Sequence, residues 1–209
     1  MTTTQSRPQV VCKENRLLMV GDGGVGKAAL IGRFIYGRFF PDYDPTIADS
    51  HRKRVVVDDE AILMDILSTH AGEDFGPSDH AVEMCHGFLL VYSITQRSSF
   101  NRIRAYHEDI RRIRGQDALT GVIIIANKCD LETERVVNIQ EGRDLAAELG
   151  CSFMETSAKQ GVNVEEAFMD VVRQIPRVNA VKSIPSESPE LEAQGKGQHV
   201  SRCGGCVAF

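Results

Sequence analysis

Apolar residues along this chain form two kinds of pattern, short unbroken runs and stretches in which they recur every three or four positions. Residues 17–20 (LLMV), 87–94 (GFLLVYSI) and 121–126 (GVIIIA) are runs of the first kind. Bounded by polar segments, they read as strands, the last as a central one buried on both faces. Residues 52–57 and 61–67 add two more runs on either side of Asp58-Asp59-Glu60, a hairpin signal, and 151–154 adds a short sixth. Helical spacing is carried by Leu30, Phe34 and Ile35 within 28–36, and by Phe100, Ile103, Tyr106, Ile110 and Ile113. It returns over 139–149 and along Val164, Ala167, Phe168, Val171, Val172 and Ile175, where Pro176 stops it. Strands alternating with helices predict an α/β domain of three layers, a mostly parallel central sheet with helices on both faces. Residues 37–50, punctuated by Pro41 and Pro45, read as a long surface loop, and 68–86 are only weakly periodic. Past Pro176 the pattern dissolves into Ser, Pro, Gly, Glu and Gln. The chain therefore divides into a flexible N-terminus (1–12), a domain (13–176) and a disordered tail (177–209).

Composition narrows the picture little. With 209 residues, 42% hydrophobic and 25% charged, the chain suits one soluble domain plus tails. A net charge of -5 argues against nucleic acid as the main ligand, so the arginines beside the 100–113 stripe (Arg102, Arg104, Arg111, Arg112, Arg114) read as a solvated helix face. No segment reaches the roughly 20 apolar residues of a membrane span, and no signal-peptide pattern opens the sequence, which points to the cytosol. Six scattered cysteines suggest reduced thiols rather than a disulfide framework.

Chemistry enters at Gly21-Asp22-Gly23-Gly24-Val25-Gly26-Lys27, which fits the first seven positions of the phosphate-loop pattern GxxxxGK[ST] and lies between a predicted strand and a predicted helix. Glycines let the backbone approach an anion, helix N-terminal amides point at it, and Lys27 adds a full charge. The eighth position, where a hydroxyl should meet Mg²⁺, is Ala28. Asn127-Lys128-Cys129-Asp130 follows the most apolar strand, at the sheet edge where ligands bind in parallel folds. A carboxylate there accepts the fork of N1–H and exocyclic amine that guanine offers and adenine does not. On that reading Asp130 selects guanine, Asn127 ties loops together and the Lys128 stem covers one face of the base. Glu155-Thr156-Ser157-Ala158-Lys159 is placed to supply a backbone amide to the guanine carbonyl.

Taken together, GDGGVGK, YDPTIADS, NKCD and ETSAK, in this order and spacing, resemble the Ras family of small GTPases over residues 13–175. The resemblance implies a switch that binds GTP and GDP with Mg²⁺ and works through exchange factors, activating proteins and effectors. Nucleotide-binding positions would be Gly23, Gly24, Val25, Gly26, Lys27, Ala28 and Ala29, then Phe39 against the base, Tyr43, Thr46 on the terminal phosphate and the metal, and Asn127, Lys128, Asp130, Ser157, Ala158 and Lys159. The loop from Asp42 to Ser50 resembles the first switch, and the effector region would comprise Tyr43, Asp44, Pro45, Thr46, Ile47, Ala48, Asp49, Ser50 and His51. Ala48 and His51 depart from the acidic and aromatic residues usual in Ras members, so effector identity does not carry over.

The second switch departs further. In place of Asp-x-Ala-Gly-Gln the chain has Ser68-Thr69-His70-Ala71-Gly72-Glu73, so the water-positioning Gln is replaced by Gly72 or by Glu73, depending on alignment. Ser68 stands at the magnesium-site Asp, and Asp65, three residues back on a strand, should face the other way. A weakened Mg²⁺ site and impaired hydrolysis follow as expectations. The alternative is a pseudo-GTPase module that holds nucleotide without turnover or sequesters an exchange factor. A nucleotide kinase or ATPase is disfavoured by NKCD. Finally, Cys206-Val207-Ala208-Phe209 fits the C-a-a-X prenylation pattern. One lipid anchors weakly and the tail is not polybasic, so Cys203 is the candidate second lipid site, at the cytoplasmic face of the plasma membrane. The competing reading of Cys203 and Cys206 is a CxxC with redox or zinc meaning.

Overall fold

The computed structural model describes residues 12–40, 50–69, 76–115 and 120–176. Six strands and five helices alternate in the order β1 (Lys13–Val20), α1 (Lys27–Tyr36), β2 (Ser50–Val57), β3 (Glu60–Ser68), α2 (Asp79–Met84), β4 (Gly87–Ser93), α3 (Arg97–Arg114), β5 (Val122–Asn127), α4 (Ile139–Leu149), β6 (Ser152–Thr156) and α5 (Val164–Gln174). The sheet runs β2-β3-β1-β4-β5-β6. Among the strand pairings of the described residues only the β2–β3 hairpin is antiparallel, and the left-handed backbones of Asp58 (φ 50°) and Asp59 (φ 65°) make its turn. The other four pairings are parallel.

Strand alternation divides the core into two layers. Leu17, Met19, Met64, Ile66, Leu89, Val91, Ile123 and Ile125 face α1 and α5, whereas Leu18, Val20, Phe88, Leu90, Tyr92, Ile124 and Ala126 face α2, α3 and α4. β4 and β5 are buried along their whole length, which is why both read as unbroken apolar runs. Among the described residues no helix is long and apolar enough to cross a membrane.

Three differences from the sequence reading have local causes. β1 starts at Lys13 rather than 17, because Lys13 to Arg16 pair in parallel with Ile62 to Asp65 of β3 whatever their side chains. Cys12, placed in the flexible N-terminus by sequence, is buried, and its thiol donates to Ala61 O at 3.4 Å. α2 buries only Val82, so it left no stripe; Ser78 caps it by accepting from Ala81 N at 3.3 Å.

Arg97, Arg104 and Arg112 of α3 form ion pairs within the fold. Arg97 and Arg104 each chelate a glutamate of α4, Glu141 and Glu148 respectively, and Arg112 lies near Asp79 and Asp109. Exposed pairs of this kind are screened by solvent and contribute little, so they register α3 against α4 more than they stabilise it.

Candidate nucleotide site

β1 sits where the chain reverses its direction of travel across the sheet, with β3 on one side and β4 on the other. Such a switch point opens a crevice at the strand C-termini. The loop that fills it begins hard against β4, since a Cβ on Gly21 would stand 2.2 Å from Val91 O. It ends at Gly26, the N-cap of α1, whose φ of 98° favours glycine and whose missing Cβ would meet Asn127 Nδ2 at 2.4 Å. Between these fixed points Gly23 and Gly24 are exposed, so the loop presents backbone to solvent at a helix N-terminus, the geometry for an anion. Val25 is fully buried beneath it. Lys27 is buried too, and its ammonium donates to Gly21 O (2.5 Å) and Asp22 O (3.0 Å), which folds the side chain back over the loop. Ala28 and Ala29 are half-buried in the first turn of α1.

Asn127 joins this loop to the other two. Its side-chain amide is 1% exposed and both its polar atoms are engaged: Nδ2 donates to Val25 O at 2.9 Å, while Oδ1 accepts from Thr156 Oγ1 at 3.2 Å and from Ala158 N at 3.4 Å. Lys128 adopts a left-handed backbone (φ 67°) and turns the chain sharply after β5. Asp130 accepts from Ser157 Oγ at 2.6 Å, and Cys129 N donates to Thr156 O at 3.0 Å. Two segments about thirty residues apart thus form one rigid corner, with Lys128 and Asp130 half-buried and Lys159 exposed at its rim. This side of the site fits a guanine nucleotide.

Arg135 braces the corner, a role that sequence reasoning missed. It pairs with Glu155 at 2.7 Å and with Glu132 at 2.7 Å, and Asn163 Nδ2 donates to Glu155 O at 2.9 Å. No spacing rule links Arg135 to Glu155, because the contact exists only once β5 and β6 lie side by side.

The metal side is different. Ala28 offers no donor, and the Ser68 hydroxyl donates to Thr69 O at 3.3 Å. Ser68 shares strand parity with Met64 and Ile66, which face the α1 layer, whereas buried Asp65 lies on the opposite face and pairs with Arg52 at 3.2 Å. No three His, Cys, Asp or Glu side chains gather into a metal-binding group among the described residues. At the two positions expected to meet Mg²⁺, the described residues thus present a methyl group and a neutral hydroxyl.

Phe39 packs half-buried against the α1–α5 core, and His51 is half-buried on β2 with its pKa lowered by burial. Residues 43–49, including Thr46, lie outside the described residues, as do Gly72, Glu73, Cys203 and Cys206.

Comparison with known proteins agrees with this geometry. The sequence model of the Ras family matches residues 16–177. A "Ras-like protein" of Laccaria bicolor is 43% identical over 204 residues, spanning 94% of this chain and 97% of the relative.

Proposed function

The chain belongs to the Ras family of small GTPases, and from that premise we propose a guanine-nucleotide switch that holds its nucleotide firmly but hydrolyses GTP slowly. The observation that carries the first half is the buried amide of Asn127, whose three hydrogen bonds tie the phosphate loop, NKCD and ETSAK into one unit. Preorganised this way, the site needs little rearrangement to receive base and phosphates together. Asp130 then supplies the discrimination, since its half-buried carboxylate would accept the fork of N1–H and exocyclic amine that guanine offers and adenine does not.

The second half rests on what stands around the phosphates. Phosphoryl transfer is catalysed by positioning and by neutralising charge, and both depend on groups this chain has replaced. Ala28 and Ser68 remove two protein donors, and Gly72 or Glu73 occupies the place of the Gln that orients water. Retention depends on the intact base side and turnover on the altered side, so turnover should suffer more.

The same substitutions favour a second reading, a pseudo-GTPase that keeps nucleotide without cycling or titrates an exchange factor. In either case exchange factors and effectors would be the protein partners. The C-terminal Cys206, with Cys203 as a second lipid site, would hold the protein at the cytoplasmic face of the plasma membrane.

Nucleotide released by heat from the purified protein, identified by chromatography, tests the reading, together with displacement of labelled GDP by GTP and by ATP. GDP or GTP in the preparation and displacement by GTP alone are expected. Equal displacement by ATP would remove Asp130 as the base-reading group.

A further inference from the structure

The second position of the phosphate loop is a carboxylate, an odd residue to place in a loop that takes an anion, and the structure gives it a partner set of its own. Tyr106 Oη donates to Asp22 Oδ1 at 2.6 Å, and Arg102 Nε stands 3.3 Å from the same oxygen. Arg102 and Tyr106 are four residues apart on α3 and so share a face, with the guanidinium 5.2 Å from the ring centroid of Tyr106. The Asp22 side chain is 11% exposed and Tyr106 4%. Burial first, then the hydrogen bond to Asp22, push the Tyr106 phenol well above its ordinary range, so it remains a donor.

We propose that Asp22, Tyr106 and Arg102 form a clamp that fastens the phosphate loop to α3 and thereby positions Lys27. The link to Lys27 is direct: the main-chain carbonyl of Asp22 accepts from the Lys27 ammonium, while its side chain is held by α3. Gly23 and Gly24, next along the loop, are exposed and conformationally permissive, so a side-chain anchor at Asp22, added to the packing of Gly21, narrows the shapes they sample. Arg102 has a second task. It neutralises the carboxylate, so the loop gains an anchor without presenting net negative charge to a phosphate. Asp22 and Arg102 are positioning residues, and the proposal builds on the nucleotide site described above.

This division of labour predicts an inverted pattern of epistasis. In the full-length protein loaded with fluorescent GDP, Asp22→Ala should speed release a few-fold through the loosened loop. Arg102→Ala should speed it tenfold or more, because the carboxylate then faces the phosphates unneutralised, and the excess should shrink in high salt. The double variant should release more slowly than Arg102→Ala alone. Tyr106→Phe should raise amide hydrogen exchange across residues 21–26 of the protein as purified, with little change in melting temperature. Equal release from Arg102→Ala and wild type, or simple additivity in the double variant, would overturn the charge-neutralising role. Unchanged exchange in both Tyr106→Phe and Asp22→Ala would overturn the clamp itself. Exchange is read without added nucleotide, so a wild type that takes up no fluorescent GDP would refute the nucleotide site while leaving the clamp to be decided by the exchange arm.

Discussion

Replacing Asn127 by Ala tests the central joint of the site. The substitution removes three hydrogen bonds and leaves their partners, Val25 O, Thr156 Oγ1 and Ala158 N, without a side chain to meet. Thr156 is 0% exposed and Ala158 4%, so neither recovers freely in water. An abandoned buried polar group costs about 1–3 kcal/mol, and with all three groups at the low end of that range the loss is about 3 kcal/mol. A domain of this size is stable by about 5–15 kcal/mol, so Asn127→Ala should still fold. Urea unfolding should show it as a midpoint lowered by about 1–2 M at unchanged slope. Gly26→Ala attacks the same joint from the other side, because its Cβ would stand 2.4 Å from Asn127 Nδ2 on a backbone at φ 98°. In wild type it incurs both clash and backbone strain. In the Asn127→Ala background the clash is gone and only the strain, roughly 1–2 kcal/mol, remains. GDP release from both single variants should be at least about tenfold faster, the equivalent of 1.4 kcal/mol. An Asn127→Ala loss below about 0.5 kcal/mol, or an equal effect of Gly26→Ala in both backgrounds, would refute the claim that this amide holds the site together.

Three further outcomes are expected. Ala28→Ser with Ser68→Asp should make GDP and GTP release roughly tenfold slower in Mg²⁺ than in chelator, by restoring the missing donors; single-turnover hydrolysis should stay slow until a Gln replaces Gly72 or Glu73, and an unmodified protein as fast as the restored one would contradict this. His107 is buried with neither ring nitrogen hydrogen-bonded among the described residues, and burial, then the Arg111 charge, lower its pKa below 6.5. The unfolded chain therefore binds more protons at acid pH, and stability should fall as pH drops below 6.5; His107→Leu should flatten that fall and be about 1 kcal/mol more stable at pH 7, as followed by urea unfolding at pH 5 to 8. In cells, Cys206→Ser should move the protein out of the membrane fraction and Cys203→Ser should do so less, whereas an unchanged fraction for Cys206→Ser would dismiss the lipid anchor.

Elements that bury a stripe or a whole run could be read from sequence, and those that bury little could not. β4, β5 and α5 announce themselves because nearly every position or every third residue enters the core. α2 buries Val82 alone and owes its start to a capping serine, so no periodicity could reveal it. The first four residues of β1, Lys-Glu-Asn-Arg, look like a polar lead-in and become strand only through backbone pairing with β3, a partner more than forty residues away. Period-two parity did carry real information. It put Asp65 and Ser68 on opposite faces from three residues of separation, and the structure holds Asp65 against Arg52 instead of turning it toward the α1 layer.

Within the site the boundary between legible and hidden follows the distance over which each contact closes. The phosphate loop is visible because consecutive backbone groups make it, so the demand for glycines is written into seven adjacent positions. Asn127 is visible for a related reason, as it ends a strand and the ligand edge of the sheet follows from topology. Asp22–Tyr106 and Arg135–Glu155 span 84 and 20 residues, and a carboxylate or an arginine on a surface segment has many possible partners. The consequence for function lies in how the two groups of contacts divide. Every polar atom of the Asn127 amide has a partner, and both anchors missed by sequence, on α3 and at Arg135, also brace the loops that would hold nucleotide. On the function proposed above, the replacements at Ala28, Ser68 and Gly72 or Glu73 fall where charge would be neutralised and water aligned. A protein so arranged would keep its nucleotide long after its relatives had turned it over, and its state would be set by the rate of exchange. Nucleotide occupancy should then respond strongly to variants that loosen the clamp or the Asn127 joint, and weakly to an added Gln alone.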